Sequence, residues 1–177
     1  MAGNKPQQEF IPLQVAVVTV SDTRTEATDT SGLFLVEALQ SVGHHCCQKH
    51  ICKDDVYKLR ALVATLIADD SVHALLLTGG TGFTRRDNTL VAVSPLFDSE
   101  IDGFGELFRQ LSFLEIGTST IQSRAFAGLS NSTAVFCMPG STGACKTAWN
   151  GIISQQLDSR HRPCNFVDRL LQKGKQD

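Results

Sequence analysis

Short apolar runs and amphipathic stretches alternate along this chain. LQVAVVTV (13–20) and VHALLLT (72–78) are near-continuous apolar runs, the pattern of strands covered on both faces in a parallel sheet. Between them, Leu35, Val36, Leu39 and Val42 recur at helical spacing; that stretch opens at Thr30 or Ser31 and stops at Gly43, which suits a left-handed cap. A second helical stretch takes Asp54 or Asp55 as its N-cap and carries Val56, Leu59, Val63, Leu66 and Ile67 on one side. The more polar HHCCQKHI (44–51) between these helices fits a strand near a sheet edge. Phe104, Leu107, Phe108, Leu111 and Leu114 make DGFGELFRQLSFLEIG an amphipathic helix that ends near Gly117. TAVFCM (133–138) is a third buried strand; it breaks at Pro139-Gly140, and Ser141 is placed to cap a helix bearing Ala148, Trp149, Ile152 and Ile153. This alternation predicts a three-layer α/β domain, with residues 1–10 and 171–177 as frayed tails.

At 177 residues the chain is expected to form a single domain, 1–177, with a core of its own. Its 16 basic and 18 acidic residues are well mixed and give a net charge of −2, so nothing marks a nucleic-acid or anionic-membrane partner. Any bound anion must be held locally. The opening MAGNKPQQEFIPLQ lacks the apolar core of a signal peptide, and no run reaches the roughly 18 apolar residues of a membrane span, which places the protein in the cytosol. Six cysteines without a C-x-x-C read as reduced thiols, with Cys137 and Cys145 as small core residues.

In an open α/β sheet, ligands sit beyond the carboxyl ends of the strands. Three loops there carry unusual residues: Ser21-Asp22, Thr78 to Asp87, and Pro139 to Thr142. Gly79-Gly80-Thr81-Gly82 is either a nest whose amides converge on an anion or a tight turn that needs positive φ. Arg85, Arg86 and Asp87 add donors for phosphate oxygens and a carboxylate for Mg2+, although such runs also form self-paired surface loops. In MPGSTGACKT (138–147), Gly140, Lys146 and Thr147 match a Walker motif, but Cys145 occupies its second glycine position and rules the motif out. The amides of Ser141 to Gly143 at a helix start remain suited to an anion or to ordinary capping. In His44-His45-Cys46-Cys47, strand alternation allows at most His44 and Cys46 to converge, which does not make a zinc site. None of the five histidines adjoins a nucleophile elbow, so covalent catalysis has no support. Asp54-Asp55 serves capping or contributes a metal carboxylate.

Taken together, SDTRTEATDTSG (21–32), LLLTGGTGFTRRD (75–87), DGFGELFRQLS (102–112), GTSTIQSRAFAG (117–128) and MPGSTGACKTAW (138–149) resemble the MoaB/MogA family of molybdenum cofactor biosynthesis. The resemblance covers about residues 13–166, and the DGFGE, IQSRA and PGST-x-AC wording is most like bacterial MoaB. It implies a molybdopterin-binding fold with a mostly parallel central sheet flanked by helices, assembled as a trimer or as a hexamer of two trimers. It also implies adenylylation of molybdopterin: the terminal phosphate of the pterin attacks the α-phosphate of Mg2+-ATP, and pyrophosphate leaves. By the same resemblance Thr78, Gly79, Gly80, Thr81 and Gly82, with Arg86 nearby, cradle a phosphate of nucleotide or pterin. The resemblance further implies that Asp87 and Asp54 are the catalytic, Mg2+-associated carboxylates, that Ser21, Asp22, Pro139, Gly140 and Ser141 form the binding rim, and that Glu106, Arg109, Ser123 and Arg124 are pterin-side or structural partners.

The chain departs from the family pattern after Asp87. Adenylylating members continue Pro-Glu-Ala after R-D-x-T, whereas Leu90-Val91-Ala92 stands here, so an acidic side chain is lost and a proline turn gives way to flexible apolar residues. The alternative to an adenylyltransferase is therefore a non-catalytic pterin-binding or scaffold oligomer of the same pathway.

Overall fold

The computed structural model describes residues 9–174. Its strands are β1 (Gln14–Val20), β2 (His45–Cys52), β3 (Ala74–Thr78), β4 (Ser99–Glu100), β5 (Phe126–Ser130) and β6 (Thr133–Met138). They form one sheet in the order β2-β1-β3-β6-β5-β4. The first four in that order run parallel, while β5 is antiparallel to both β6 and β4. All of β3 and β6 is buried, as is β1 after its first residue, as their unbroken apolar runs require. The polar strand β2 takes the edge.

Alternate residues feed two cores. Val15, Val17, Leu76 and Phe136 face α1 (Thr30–Ser41), α4 (Asp102–Ile116) and α5 (Thr142–Ala148). Ala16, Val18, Leu75 and Leu77 face the other way, with Leu59, Val63 and Leu66 of α2 (Val56–Ala68) and Ala92 and Val93 of α3 (Thr89–Val93). The fold is thus a three-layer α/β sandwich. Beyond α5 the chain runs through a π turn at Trp149–Ile153 into α6 (Ser154–Gln156), and α7 (Val167–Leu170) closes it.

Several expectations need correction. The helix α1 does open at Thr30, and its N-cap is Asp29: its Oδ1 accepts the Gly32 amide at 2.9 Å while its Oδ2 accepts the Thr19 hydroxyl at 2.9 Å. A carboxylate does both with two separate oxygens. On α4 only Phe104 and Phe108 of the apolar stripe are buried; Leu111 is half-buried, and Leu114 is 79% exposed beside Phe113, Ile116 and Ile121. Leu90 to Ala92 are not flexible, because they lie in α3, whose Val91 and Ala92 carbonyls accept the Arg60 guanidinium at 2.7 and 3.1 Å. The expected tails are partly packed. Phe10 lies against the His44 ring, and buried Lys173 donates to the Val72 carbonyl at 2.8 Å and to the Thr133 hydroxyl at 2.6 Å. Residues 1–8 and 175–177 of those tails lie outside the described residues. Among the described residues no helix is long and apolar enough to cross a membrane.

Candidate functional site

Thr19, Thr78 and Met138 stand side by side in register, so β1, β3 and β6 end together and their loops share one rim. The rim encloses a cleft of about 330 Å³. Its floor is backbone packed on backbone. Gly79 has φ +106°, its amide donates to the Met138 carbonyl at 3.0 Å, and a Cβ there would lie 2.3 Å from the Val20 carbonyl oxygen. Gly80 has φ +65°, and its Cβ would meet the Thr89 hydroxyl at 2.3 Å and Asp54 Oδ2 at 3.0 Å. Only glycine satisfies both positions.

The carbonyls of Gly79, Gly80 and Thr81 are held back, and two of the loop's amides are not. The Thr89 hydroxyl donates to the Gly79 carbonyl at 2.8 Å and the Thr89 amide to that of Gly80 at 3.0 Å. The Thr81 carbonyl takes the Arg124 amide at 3.0 Å and its guanidinium Nε at 3.4 Å. By contrast, the amides of Gly80 and Thr81 and the Thr81 hydroxyl have no partner among the described residues, although Thr81 is only 2% exposed. Bare donors in a cleft are the arrangement that anion nests use. The Thr78 hydroxyl donates to the Pro139 carbonyl at 3.0 Å and the Ser31 hydroxyl to that of Gly140 at 3.0 Å, which lashes the third rim loop to the first two.

Three carboxylates flank the nest. Burial alone would raise the Asp87 carboxyl, but Thr84, the Gly82 amide and the Arg124 charge together hold it below its ordinary value. The Thr84 amide reaches its Oδ2 at 2.7 Å. Burial pushes the Asp54 carboxyl up, the negative charges of Asp87 and Asp22 push it further, and bonds from Asn88 oppose them. The Asn88 amide donates to Asp54 Oδ1 at 2.9 Å. Asp55 caps α2 by accepting the Tyr57 and Lys58 amides, which leaves Asp54 to the site. Asp22 pairs with Arg86 across the mouth.

Of the residues singled out from sequence, Ser21, Thr78, Gly79, Gly80, Thr81, Gly82, Asp87, Pro139 and Gly140 line the cleft. Asp22, Asp54 and Arg86 are not among its lining residues. Ser141 is spent as the α5 cap, accepting the Ala144 amide at 3.1 Å. Glu106 is exposed on α4, and Arg109 donates to the Ala125 carbonyl at 3.2 Å in a separate hollow beneath that helix. Ser123 is half-buried, its amide bound to the Thr120 carbonyl at 2.9 Å. Arg124 staples the loop, since besides Thr81 its Nη2 donates to the Asp87 carbonyl at 2.9 Å, and its guanidinium lies 4.8 Å from the Phe83 ring centre. Thr19, Val20, Arg24, Ser31 and Gln122 also line the cleft and were not foreseen. Only Arg24, within the SDTR stretch, carried a charge that could have drawn notice.

Arg124→Ala is expected to cost about 1–3 kcal/mol and to speed amide exchange over residues 79–87, and Lys is not expected to restore protection because a point charge cannot reproduce the fork. Hydrogen exchange followed by mass spectrometry checks this.

A mostly parallel sheet with bare amides at the carboxyl ends of its strands is the arrangement in which open α/β proteins place their ligand sites. Residues 16–159 match the family described as a probable molybdopterin binding domain. The chain is 56% identical over 162 residues to molybdenum cofactor biosynthesis protein B of Escherichia coli strain K12, covering 92% of this chain and 95% of that protein. A crystal structure of a molybdenum cofactor biosynthesis protein B is similar with a TM-score of 0.85 and 41% identity, over 96% of this chain and 100% of that one. The tungsten cofactor synthesizing protein MoaB from Pyrococcus furiosus is similar with a TM-score of 0.71 and 37% identity, over 81% and 92% of the two chains. The chain belongs to the MoaB/MogA family of molybdenum cofactor biosynthesis proteins, with the MoaB members.

Proposed function

We propose that this cleft joins molybdopterin to Mg2+-ATP in the cytosol. A terminal phosphate oxygen of the pterin bonds to the α-phosphorus of ATP, the bond from that phosphorus to the pyrophosphate oxygen breaks, and adenylylated molybdopterin and pyrophosphate leave. The single observation that carries this reading is the pair of unpartnered Gly80 and Thr81 amides beside the Gly79, Gly80 and Thr81 carbonyls, which are held back. Nucleotidyl transfer asks for that kind of fixed donor array more than for reactive side chains. Gly80 and Thr81 bind a phosphate, Arg24 on the rim offers it a cation, and Arg124 fixes the loop behind it.

The residues fit Mg2+. Among the described residues no three His, Cys, Asp or Glu side chains form a metal cage, and Mg2+ bound through substrate phosphates needs only one or two carboxylates. Asp54, raised by burial and by the charges of Asp87 and Asp22, sits in a negative crowd that a cation relieves. Asp87 and Asp54 would hold the ion, and its chemistry there is to neutralise charge on the phosphate oxygens. The exposed Phe113, Leu114, Ile116 and Ile121 support assembly into a homotrimer or a hexamer.

Purified protein mixed with Mg2+-ATP and molybdopterin is expected to release pyrophosphate. Folded protein that releases none overturns the reading. A non-catalytic pterin-binding or scaffold role is favoured by one feature: α3 presents Val91, 55% exposed, where adenylylating members carry an acidic residue. Its signature in the same assay is pterin binding without pyrophosphate.

A further inference from the structure

The loop that joins β1 to α1, residues 21–29, brings Arg24 to the wall of the cleft. Residues 22–28 are all exposed, so burial does not fix their place. Within the loop the Ser21 hydroxyl oxygen accepts the Thr23 and Arg24 amides at 3.2 and 3.1 Å, and the Thr28 carbonyl accepts the Arg24 guanidinium. The guanidinium therefore stands where Thr28 holds it.

Thr28 is itself bracketed from outside the loop. Lys49 lies on the edge strand β2 in register with Val17, whose side chain enters the core beneath α1. Its ammonium reaches Glu26 Oε2 at 2.5 Å and Asp29 Oδ2 at 3.4 Å, on either side of Thr28 in the chain. The Asp29 side chain is fully buried and also accepts the Thr19 hydroxyl and the Gly32 amide, so Lys49 supplies the cation that a buried carboxylate needs. The Glu26 side chain is 72% exposed, and an ion pair so open adds little to stability. What it does is fix the loop to the sheet edge. We propose that Lys49 is a positioning residue for phosphate binding: by holding Glu26 and Asp29 it keeps the Thr28 carbonyl, and with it the Arg24 guanidinium, at the cleft wall. This rests on the reading of Arg24 as a phosphate contact in the nucleotidyl-transfer site.

The test titrates inorganic pyrophosphate into the full chain by calorimetry, with Mg2+ and at constant ionic strength. Lys49→Met would strand the buried Asp29 charge and can fail to fold, so the diagnostic variant is Glu26→Ala, on an exposed residue. Arg24→Gln is expected to weaken binding about tenfold or more, the worth of a charged hydrogen bond. Glu26→Ala is expected to weaken it about two- to fivefold, the scale of an exposed ion pair, and to add nothing in the Arg24→Gln background. Lys49→Arg, which keeps the charge for both carboxylates, is expected to bind like the wild type. A plain field effect has the opposite sign, because loss of the Glu26 charge would tighten anion binding. Unchanged or tighter binding in Glu26→Ala overturns the proposal, as does a Glu26→Ala loss that persists in Arg24→Gln, or wild-type protein without saturable pyrophosphate binding. The transfer reading is scored apart: protein that binds in the expected pattern but releases no pyrophosphate from Mg2+-ATP and molybdopterin loses that reading and keeps the Lys49 clamp.

Discussion

Asp87→Asn is expected to lower pyrophosphate release by roughly 10²–10³-fold, the scale of losing one preorganised electrostatic partner in a transition state. The fold should survive, because the asparagine carbonyl can still accept the Thr84 amide that now reaches Oδ2 at 2.7 Å. What disappears is the negative charge. The carboxyl is held below its ordinary value, with burial outweighed by Thr84, the Gly82 amide and Arg124, so in the native protein it is ionised at neutral pH. Steady-state rates beside urea melts separate the two effects: a collapsed rate with an unchanged midpoint is the expected pair, and a near-native rate would remove Asp87 from the chemistry.

Gly79→Ala should be strongly damaging, costing about 2–4 kcal/mol from strained backbone and steric overlap combined. The new Cβ would stand 2.3 Å from the Val20 carbonyl oxygen at φ +106°, and the backbone cannot drift away because its amide is bound to Met138. Gly143→Ala is the matched control. Its Cβ meets nothing within 4 Å on α5, so that change should be neutral or stabilising by about 0.5–1 kcal/mol. Urea midpoints of the two variants check the contrast, and equal midpoints would contradict the backbone-on-backbone floor.

The central strands were legible because burial on both faces leaves no room for polar residues, so β1, β3 and β6 announce themselves as runs. Gly79 and Gly80 were legible for a related reason, since a positive φ and a close backbone approach can be written with almost nothing but glycine. The antiparallel edge was not. β5 is five residues with a glycine at 128, required because a Cβ there would lie 2.2 Å from the Phe97 ring, and that constraint comes from a residue 31 positions away. Exposure along α4 was equally hidden, because spacing reports an apolar stripe and says nothing of what covers it. At the site, Thr19, Ser31 and Gln122 are ordinary residues brought to the rim by topology alone. From sequence, Arg124 stands open between a ligand-side and a structural role, and its bonds go to the Thr81 and Asp87 carbonyls of the loop it supports. Cys145, which excluded a Walker motif on paper, lies fully buried under the nest with its sulfur 3.1 Å from the Thr78 hydroxyl.

The measurement that bears most directly on the account is calorimetric titration of ATP into the protein with and without Mg2+. The account predicts saturable binding that requires Mg2+ and is lost in Asp87→Asn. Absence of ATP binding in both conditions, from protein shown to be folded, would contradict a nucleotide site and leave the Gly80–Thr81 nest to the pterin phosphate alone.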